Sequence, residues 1–328
     1  MKKIIPFAIL IIALLSIKCS SKKNVNSNNK IATQILSFPE SGEDTLKASC
    51  VADTVIYIPL ETTKESLLDN ELGQVWMDNS FILINCRKAG LLLFQKDGKF
   101  LNKIGKHGRG PGEYGNIFHF DVLYDTIYVS SSSRRGFLRY TFDGTFCDEI
   151  KLNYQPVYFS TTFNHKLACY SIEEGKIYIY NNLHTQPDTI VMEYGVTKER
   201  YKYSLSDIHM SYLQKYSTGL LFYDYKSDTV WNLIDNKKEP AYIINMKNKL
   251  PYEKQIEFCN SNLKGWNQIA RSYQLVHFLP LSSYIFIFQK HWRGGWYDGI
   301  YLNNSKTGEI KKFTKTWIYD DIVSQQRL

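Results

Sequence analysis

Residues 94–100 read FQKDGKF, and residues 140–146 read YTFDGTF, which is the same pattern 46 residues further along the chain. Each stretch closes an apolar run, turns at Asp-Gly and opens another apolar run. Asp-Gly between apolar runs is a strong signal for a β-hairpin, because glycine adopts the positive φ angle that a tight turn needs. The repetition therefore predicts a hairpin unit that is copied along the chain.

Short apolar runs separated by turn residues continue from about Asp53 onward. Aromatic residues make up 15% of the sequence and prolines number only nine, and β-branched and aromatic side chains fit a pleated surface. Asp-Thr followed by Val or Ile occurs at residues 53–55, 125–127, 188–190 and 228–230, and we expect each copy to open a strand. The pattern predicts an all-β fold of short antiparallel strands.

The repeat length selects among all-β folds, since a propeller copies one blade around an axis. Four-stranded blades recur roughly every 40 to 50 residues. We expect blades near residues 72–104, 117–152, 155–192, 205–246 and 270–315. The strand near residues 53–60 is expected to pair with the chain from Trp317 onward and close the ring as a sixth blade. The prediction is a six-bladed β-propeller of four-stranded antiparallel blades over residues 46–328, with the last blade short or incomplete.

The N-terminus has the layout of a secretory signal. Two lysines precede an apolar run over residues 4–15, and Cys19 follows. A run of this length is shorter than the roughly 20 residues that span a bilayer. We predict a signal peptide over residues 1–18 and a lipidated, flexible tether over residues 19–45, with the acyl chains on Cys19. An ordinary signal peptide with an incidental cysteine remains the alternative.

The charge of the chain argues against a nucleic-acid partner. The formal net charge is +8, and it falls to +5 when the three lysines of residues 1–18 are removed. The remaining lysines are scattered and form no basic stripe, so the electrostatic footprint of a nucleic-acid-binding protein is missing. We expect a monomer that meets the membrane only through its N-terminal lipid.

Residues 104–114 read IGKHGRGPGEY and lie between the first two predicted blades. Glycine permits positive φ angles and close backbone approach, proline fixes a turn, and the final tyrosine can pack between blades. A phosphate-binding loop would need a Gly-Lys-Ser/Thr ending and a helix start, and the sequence has neither here. The stretch is predicted to be a structural inter-blade loop, formed by Gly105, Gly108, Gly110, Pro111, Gly112 and Tyr114.

This loop resembles the inter-blade loop of NHL-type propellers. Together with the signal, IPLETT (residues 58–63) and SDTVW (residues 227–231), it is similar to the bacterial six-bladed β-propeller lipoproteins. The resemblance implies export and a lipid anchor at the cell envelope, on the outer membrane or the periplasmic face, but no established reaction. Some members of that family sit beside glycan-uptake systems, and the fold alone does not license a function.

Candidate binding residues lie in three loops. The stretch HWRGGWY (residues 291–297) combines two indoles with a guanidinium, which suit sugar rings, acidic groups or a protein partner. The alternative for the two tryptophans is that both pack between blades. The alternative for Arg134 and Arg135 is that they lie in a solvated turn without a binding role. The candidates are Arg109, Glu113, Arg134, Arg135, Trp292, Arg293 and Trp296.

The sequence assigns no catalytic residue. The seven histidines are scattered, and a Gly-x-Ser-x-Gly motif is absent. The cysteines lack zinc-site spacing, and we expect those in apolar runs, such as Cys86 and Cys169, to be buried. The predicted function is a non-enzymatic binding or scaffold protein without a cofactor, whose partner is an envelope protein or a glycan. The alternative is a metal-dependent hydrolase or lyase of the lactonase type, with calcium or another divalent ion held by ligands that the sequence does not identify.

Overall fold

The structure is a computed structural model, and it describes residues 33–69, 72–162, 165–171, 174–181, 183, 186–191, 212–216, 219–224, 227–234, 237–246, 251, 273–281, 284–291, 297–315 and 317–322. The predicted signal peptide and Cys19 lie outside the described residues. The chain divides into two compact units, Tyr57–Thr197 and a second unit made of Met1–Ile56 with Lys198–Leu328.

The described strands follow one another along the chain, with a 3₁₀ helix at Ala48–Cys50. They are β1 (Gln34–Ser37), β2 (Leu46–Lys47), β3 (Leu72–Met77), β4 (Phe81–Cys86), β5 (Gly90–Gln95), β6 (Phe100–Ile104), β7 (Lys106–His107), β8 (Glu113–Tyr114), β9 (Ile117–Leu123), β10 (Thr126–Ser131), β11 (Gly136–Tyr140), β12 (Phe146–Lys151), β13 (Pro156–Thr161), β14 (Leu167–Ser171), β15 (Lys176–Tyr180), β16 (Asp188–Val191), β17 (Tyr212–Tyr216), β18 (Gly219–Asp224), β19 (Thr229–Ile234), β20 (Lys237–Asn245), β21 (Tyr273–Pro280), β22 (Tyr284–His291), β23 (Tyr297–Asn304), β24 (Ile310–Phe313) and β25 (Ile318–Tyr319).

The unit Tyr57–Thr197 holds three four-stranded antiparallel blades: blade 1 (β3–β6), blade 2 (β9–β12) and blade 3 (β13–β16). The two Asp-Gly hairpins of blades 1 and 2 have matching geometry. Gly98 has φ +95° and Gly144 has φ +86°. Their amides donate to the carbonyls of Gln95 (2.9 Å) and Thr141 (3.0 Å). The hairpin prediction is confirmed at both turns.

The other unit holds blade 4 (β17–β20) and blade 5 (β21–β24), which are also four-stranded and antiparallel. β1 joins the outer edge of blade 4 by parallel pairing with β20. β2 pairs in parallel with β25 in a separate two-stranded sheet. The 3₁₀ helix lies beside this sheet, where the Ser49 hydroxyl and amide both donate to the carboxylate of Asp321.

The prediction of six blades is wrong, because the described residues form five. The five blade ranges read from the sequence are confirmed, but the sixth, closing blade is not formed. Residues 53–60, all of which the structure describes, form no strand, so the Asp-Thr motif at Asp53 does not open one. The C-terminal strand β25 pairs with β2 in place of residues 53–60.

Instead, the chain around residues 58–61 lies in extended form along blade 1. Ile58 and Leu60 pack against the buried apolar side chains of this blade. The amide of Glu61 donates to the Gly98 carbonyl at 2.9 Å, and its carboxylate accepts the amide of Phe100 at 2.9 Å. This packing is close, since a Cβ on Gly98 would lie 2.0 Å from the carbonyl oxygen of Pro59. The alternation of apolar residues at 58 and 60 therefore arises because this segment packs against blade 1, and the segment is not itself a strand of a blade.

Hydrogen bonds tie the first strands of neighbouring blades within the three-blade unit. The Gln74 side chain donates from Nε2 to the Phe120 carbonyl at 2.7 Å, and its Oε1 accepts the Phe120 backbone amide at 3.0 Å. Asp121 accepts the amide of Thr161 at 2.8 Å. Buried polar groups that find such partners avoid a desolvation penalty. A shared apolar core between blades 1 and 2 surrounds the base of the Gly-rich loop.

Candidate functional site

The Gly-rich loop, residues 105–116, connects blade 1 to blade 2 and folds back on itself through parallel pairing of β7 with β8. Gly105 and Gly112 have φ +62° and +67°, which side chains rarely tolerate. A Cβ on Gly112 would lie 2.7 Å from the Phe146 ring, and one on Gly105 would lie 2.8 Å from the Tyr114 ring. Glycine is required at both positions by conformation and by space.

Tyr114 anchors this loop from inside. Its side chain is 1% exposed. Its hydroxyl donates to the Ile104 carbonyl at 2.8 Å and accepts the Leu91 amide at 3.2 Å. Burial raises the pKa of Tyr114 to about 12. The hydroxyl of Tyr140 in blade 2 reaches the same loop and donates to the Gly112 carbonyl at 3.0 Å.

Glu113 makes its contacts within the loop. One carboxylate oxygen accepts the Gly110 amide at 2.9 Å, and the other forms an ion pair with Lys106 at 3.0 Å. These contacts, with the Gly110 amide first, hold the pKa of Glu113 below its ordinary value. Arg109 lies on the exposed tip of the loop. The negative charge of Glu113 is therefore compensated locally by Lys106.

The predicted arginine pair follows the second strand of blade 2. Arg134 is half-buried, and its Nη2 donates to the carbonyls of Arg109 (2.8 Å) and Gly110 (2.6 Å). Arg135 is exposed and donates to the Asn153 carbonyl at 3.0 Å. Arg134 thus positions the tip of the Gly-rich loop, while Arg135 stays accessible.

A cavity of about 320 Å³ opens beside the loop, between the first strands of blades 1 and 2. Its polar lining is one guanidinium, one imidazole and two carboxamides, and the described lining residues carry no carboxylate. His107 packs edge-on against Tyr114 with ring centroids 5.3 Å apart. Such a lining presents hydrogen-bond donors and positive charge. The lining residues are Leu72, Gly73, Asn85, Arg87, His107, Asn116 and Ile117.

The structure brings some of the predicted binding residues together, and others lie outside the residues that it describes. Arg109, Glu113 and Arg134 meet at the Gly-rich loop. Trp292, Arg293 and Trp296 lie outside the described residues. Sequence reasoning missed the cavity residues Asn85, Arg87 and Asn116. A usable signal existed, because Arg87 follows the second strand of its blade, as Arg134 and Arg135 do in theirs.

The potential metal ligands and the cysteines of the described residues are scattered. There, no group of three His, Cys, Asp or Glu residues is placed to hold a metal ion. Cys86 and Cys169 are buried, which confirms the expectation for both, whereas Cys50 and Cys147 are exposed. Across the same described residues, no helix has the length and apolar character needed to cross a membrane.

The blades and the Gly-rich loop define a β-propeller protein with a donor-lined cavity. Residues 34–327 match the family described as a domain of unknown function, DUF4934, and the chain belongs to this family. No protein with a curated description is significantly similar in sequence.

One solved structure supports the fold. A protein of Bacteroides fragilis NCTC 9343 that is described as exported is 18% identical, with a TM-score of 0.65 over 86% of this chain and 79% of that one. A protein of unknown function from Bacteroides caccae is 12% identical, with a TM-score of 0.46 over 76% and 85% of the two chains. Virginiamycin B lyase from Staphylococcus aureus is 12% identical, with a TM-score of 0.47 over 76% and 72%. Of these three, the Bacteroides fragilis protein alone has a TM-score above 0.5, and at 18% identity that likeness shows the fold alone.

Proposed function

We propose that this protein is an exported, lipid-anchored propeller that binds a glycan at the cell envelope without catalysing a reaction. The signal-like N-terminus and Cys19 support export and anchoring. The similar propeller from Bacteroides fragilis is described as exported. Binding is assigned to the cavity beside the Gly-rich loop and to Arg109 on the exposed tip of that loop. Arg135 is a separate candidate, and so are Trp292, Arg293 and Trp296, which lie outside the described residues.

The observation that carries the proposal is the composition of the cavity. Asn85 and Asn116 offer side-chain amides that donate and accept, His107 offers an imidazole, and Arg87 offers a guanidinium with several donors. Guanidinium groups recognise carboxylates through paired hydrogen bonds, which are stronger than bonds between neutral groups. The cavity therefore suits a glycan that bears acidic groups.

Thermal unfolding of the mature protein with Cys19→Ser tests this proposal, because a ligand of the native state raises Tm. The probes are hexagalacturonate, a neutral hexasaccharide, hexaglutamate, Ca²⁺ and Zn²⁺. We expect hexagalacturonate to raise Tm and Arg87→Ala to abolish the rise. The matched control is Lys96→Ala, an exposed cation at the Asp-Gly turn of the same blade, which should leave the rise intact.

Each other outcome has a definite meaning. A rise with hexaglutamate alone would replace the glycan by an acidic protein segment. A rise with a metal ion alone would overturn glycan binding at this cavity and favour the metal-dependent alternative, which an activity assay would then test. A hexagalacturonate rise that persists in Arg87→Ala would move the site away from the cavity.

A further inference from the structure

Two exposed aromatic side chains form a stack at the far end of blades 2 and 3. The rings of Tyr124 and His165 lie 4.9 Å apart between centroids and within 19° of parallel. Tyr124 occupies the turn between β9 and β10, and His165 occupies the turn between β13 and β14. Tyr124 is 69% exposed, more than any other large apolar side chain among the described residues. We propose that this Tyr124–His165 stack is a platform that binds the ring of a neutral sugar.

The backbone holds both rings in place at a conformational cost. Tyr124 has φ +53° and His165 has φ +55°. In a two-residue hairpin turn such as that of Tyr124, the position with positive φ is one that glycine or asparagine normally fills. Residues held in sparsely populated backbone regions cluster at binding sites. Neither side chain is buried, so core packing does not explain why large rings stand at these positions.

Hydrogen bonds to Thr162 hold the backbone at His165 and Lys166 in place. The His165 amide donates to the Thr162 carbonyl at 3.1 Å, and the Lys166 amide donates to the Thr162 hydroxyl oxygen at 3.1 Å. The imidazole covers one face of the Tyr124 ring. Because most of Tyr124 is exposed, the opposite face is open to solvent. The platform is therefore formed before a ligand arrives, which lowers the entropic cost of binding.

The size and surroundings of the stack favour a sugar over a protein partner. A stable protein interface buries about 800 Å² on each partner around a central apolar cluster. The neighbours of the two rings in their turns include Asp125, Thr162 and Lys166, which are polar. An open aromatic face with polar residues next to it in the chain suits a single pyranose, whose C–H face stacks on the ring while its hydroxyls form hydrogen bonds.

This stack is separate from the cavity of the proposed function. Ile117 lines the cavity at the start of β9, and Tyr124 follows the other end of that strand. At about 3.3 Å per residue the two sites are roughly 20 Å apart. The Tyr124–His165 stack is thus a second glycan-binding surface, and a substitution can abolish binding at either site while leaving the other intact.

Isothermal titration calorimetry of the mature Cys19→Ser protein tests the platform. The probes are neutral hexasaccharides of β-1,4-glucose, β-1,4-mannose, β-1,4-xylose and α-1,4-glucose. We expect at least one to bind, and we expect Tyr124→Gly to weaken that binding about tenfold. Glycine suits the positive φ, so Tyr124→Gly should melt at the wild-type temperature or above it, which separates lost binding from lost folding.

His165→Ala should weaken binding in the same direction. The matched control is Tyr319→Ala, which removes another exposed tyrosine and should leave the affinity unchanged. Arg87→Ala should also leave it unchanged, so the outcome is independent of the cavity. The proposal is overturned if none of the four hexasaccharides binds, or if Tyr124→Gly binds them as the wild type does.

Discussion

The hydroxyl of Tyr140, in the third strand of blade 2, donates a hydrogen bond to the Gly112 carbonyl of the Gly-rich loop at 3.0 Å. Tyr140 is fully buried, so Tyr140→Phe would leave this carbonyl without its partner. We expect Tyr140→Phe to lower the free energy of unfolding by about 1–3 kcal/mol in urea titrations. Tyr319→Phe, at an exposed tyrosine, is the control. Equal stability of the two variants would show that the bond contributes nothing.

Gly112 and Gly110 allow a matched comparison within the same loop. Gly112 has φ +67°, and a Cβ there would meet the Phe146 ring at 2.7 Å. A Cβ on Gly110 would lie 3.1 Å from the movable carboxylate of Glu113. We expect Gly112→Ala to destabilise the protein by more than about 1 kcal/mol and Gly110→Ala to cost less. The urea midpoints measure both, and the reverse order would contradict the role assigned to Gly112.

The blades could be predicted from the sequence because their signals are local. A hairpin needs two apolar runs and a turn, and Asp97-Gly98 and Asp143-Gly144 supply them within a few residues. The error at residues 53–60 has a physical reason. Ile58 and Leu60 alternate because one side of an extended chain packs on blade 1, and that alternation is the same whether the backbone joins a sheet or only lies against one.

The candidate site could be predicted only in part. The Gly-rich loop is continuous in sequence, and its glycines and Tyr114 could be recognised there. The cavity takes Asn85 from β4, Arg87 from the turn that follows this strand, and His107 and Asn116 from the Gly-rich loop. No contiguous motif therefore identifies it in the sequence. The Tyr124–His165 stack joins residues about 40 positions apart, and neither turn carries the glycine that a sequence pattern would use.

We expect the protein to lose stability at alkaline pH, because burial raises the pKa of tyrosines such as Tyr114. Burial raises the pKa of Tyr114 from 10.0 to about 12, so the folded state favours the neutral phenol. Its contribution is complete below pH 10 and is lost as the pH rises from 10 towards 12. Each such group lowers the free energy of unfolding by up to about 1.4 kcal/mol per pH unit in that window.

Urea titrations between pH 8 and pH 11 measure this decline. Burial also raises the pKa of the Cys86 thiol to about 11, which acts in the same direction. The informative comparison is therefore between the wild type and Tyr114→Phe, whose stability should fall less steeply with pH. Parallel slopes in the two proteins would contradict the assignment to Tyr114.

The four described cysteines should differ sharply in reactivity. Cys50 and Cys147 are exposed, whereas Cys86 and Cys169 are buried in β4 and β14. The thiolate is the reactive form, and burial raises the pKa of both Cys86 and Cys169. Iodoacetamide at pH 7.5, followed by peptide mass spectrometry, should label Cys50 and Cys147 in the native mature protein. Cys86 and Cys169 should react only in urea. Cys147→Ser should remove one native label without exposing the others, and native labelling of Cys86 at the rate of Cys147 would contradict its burial in blade 1.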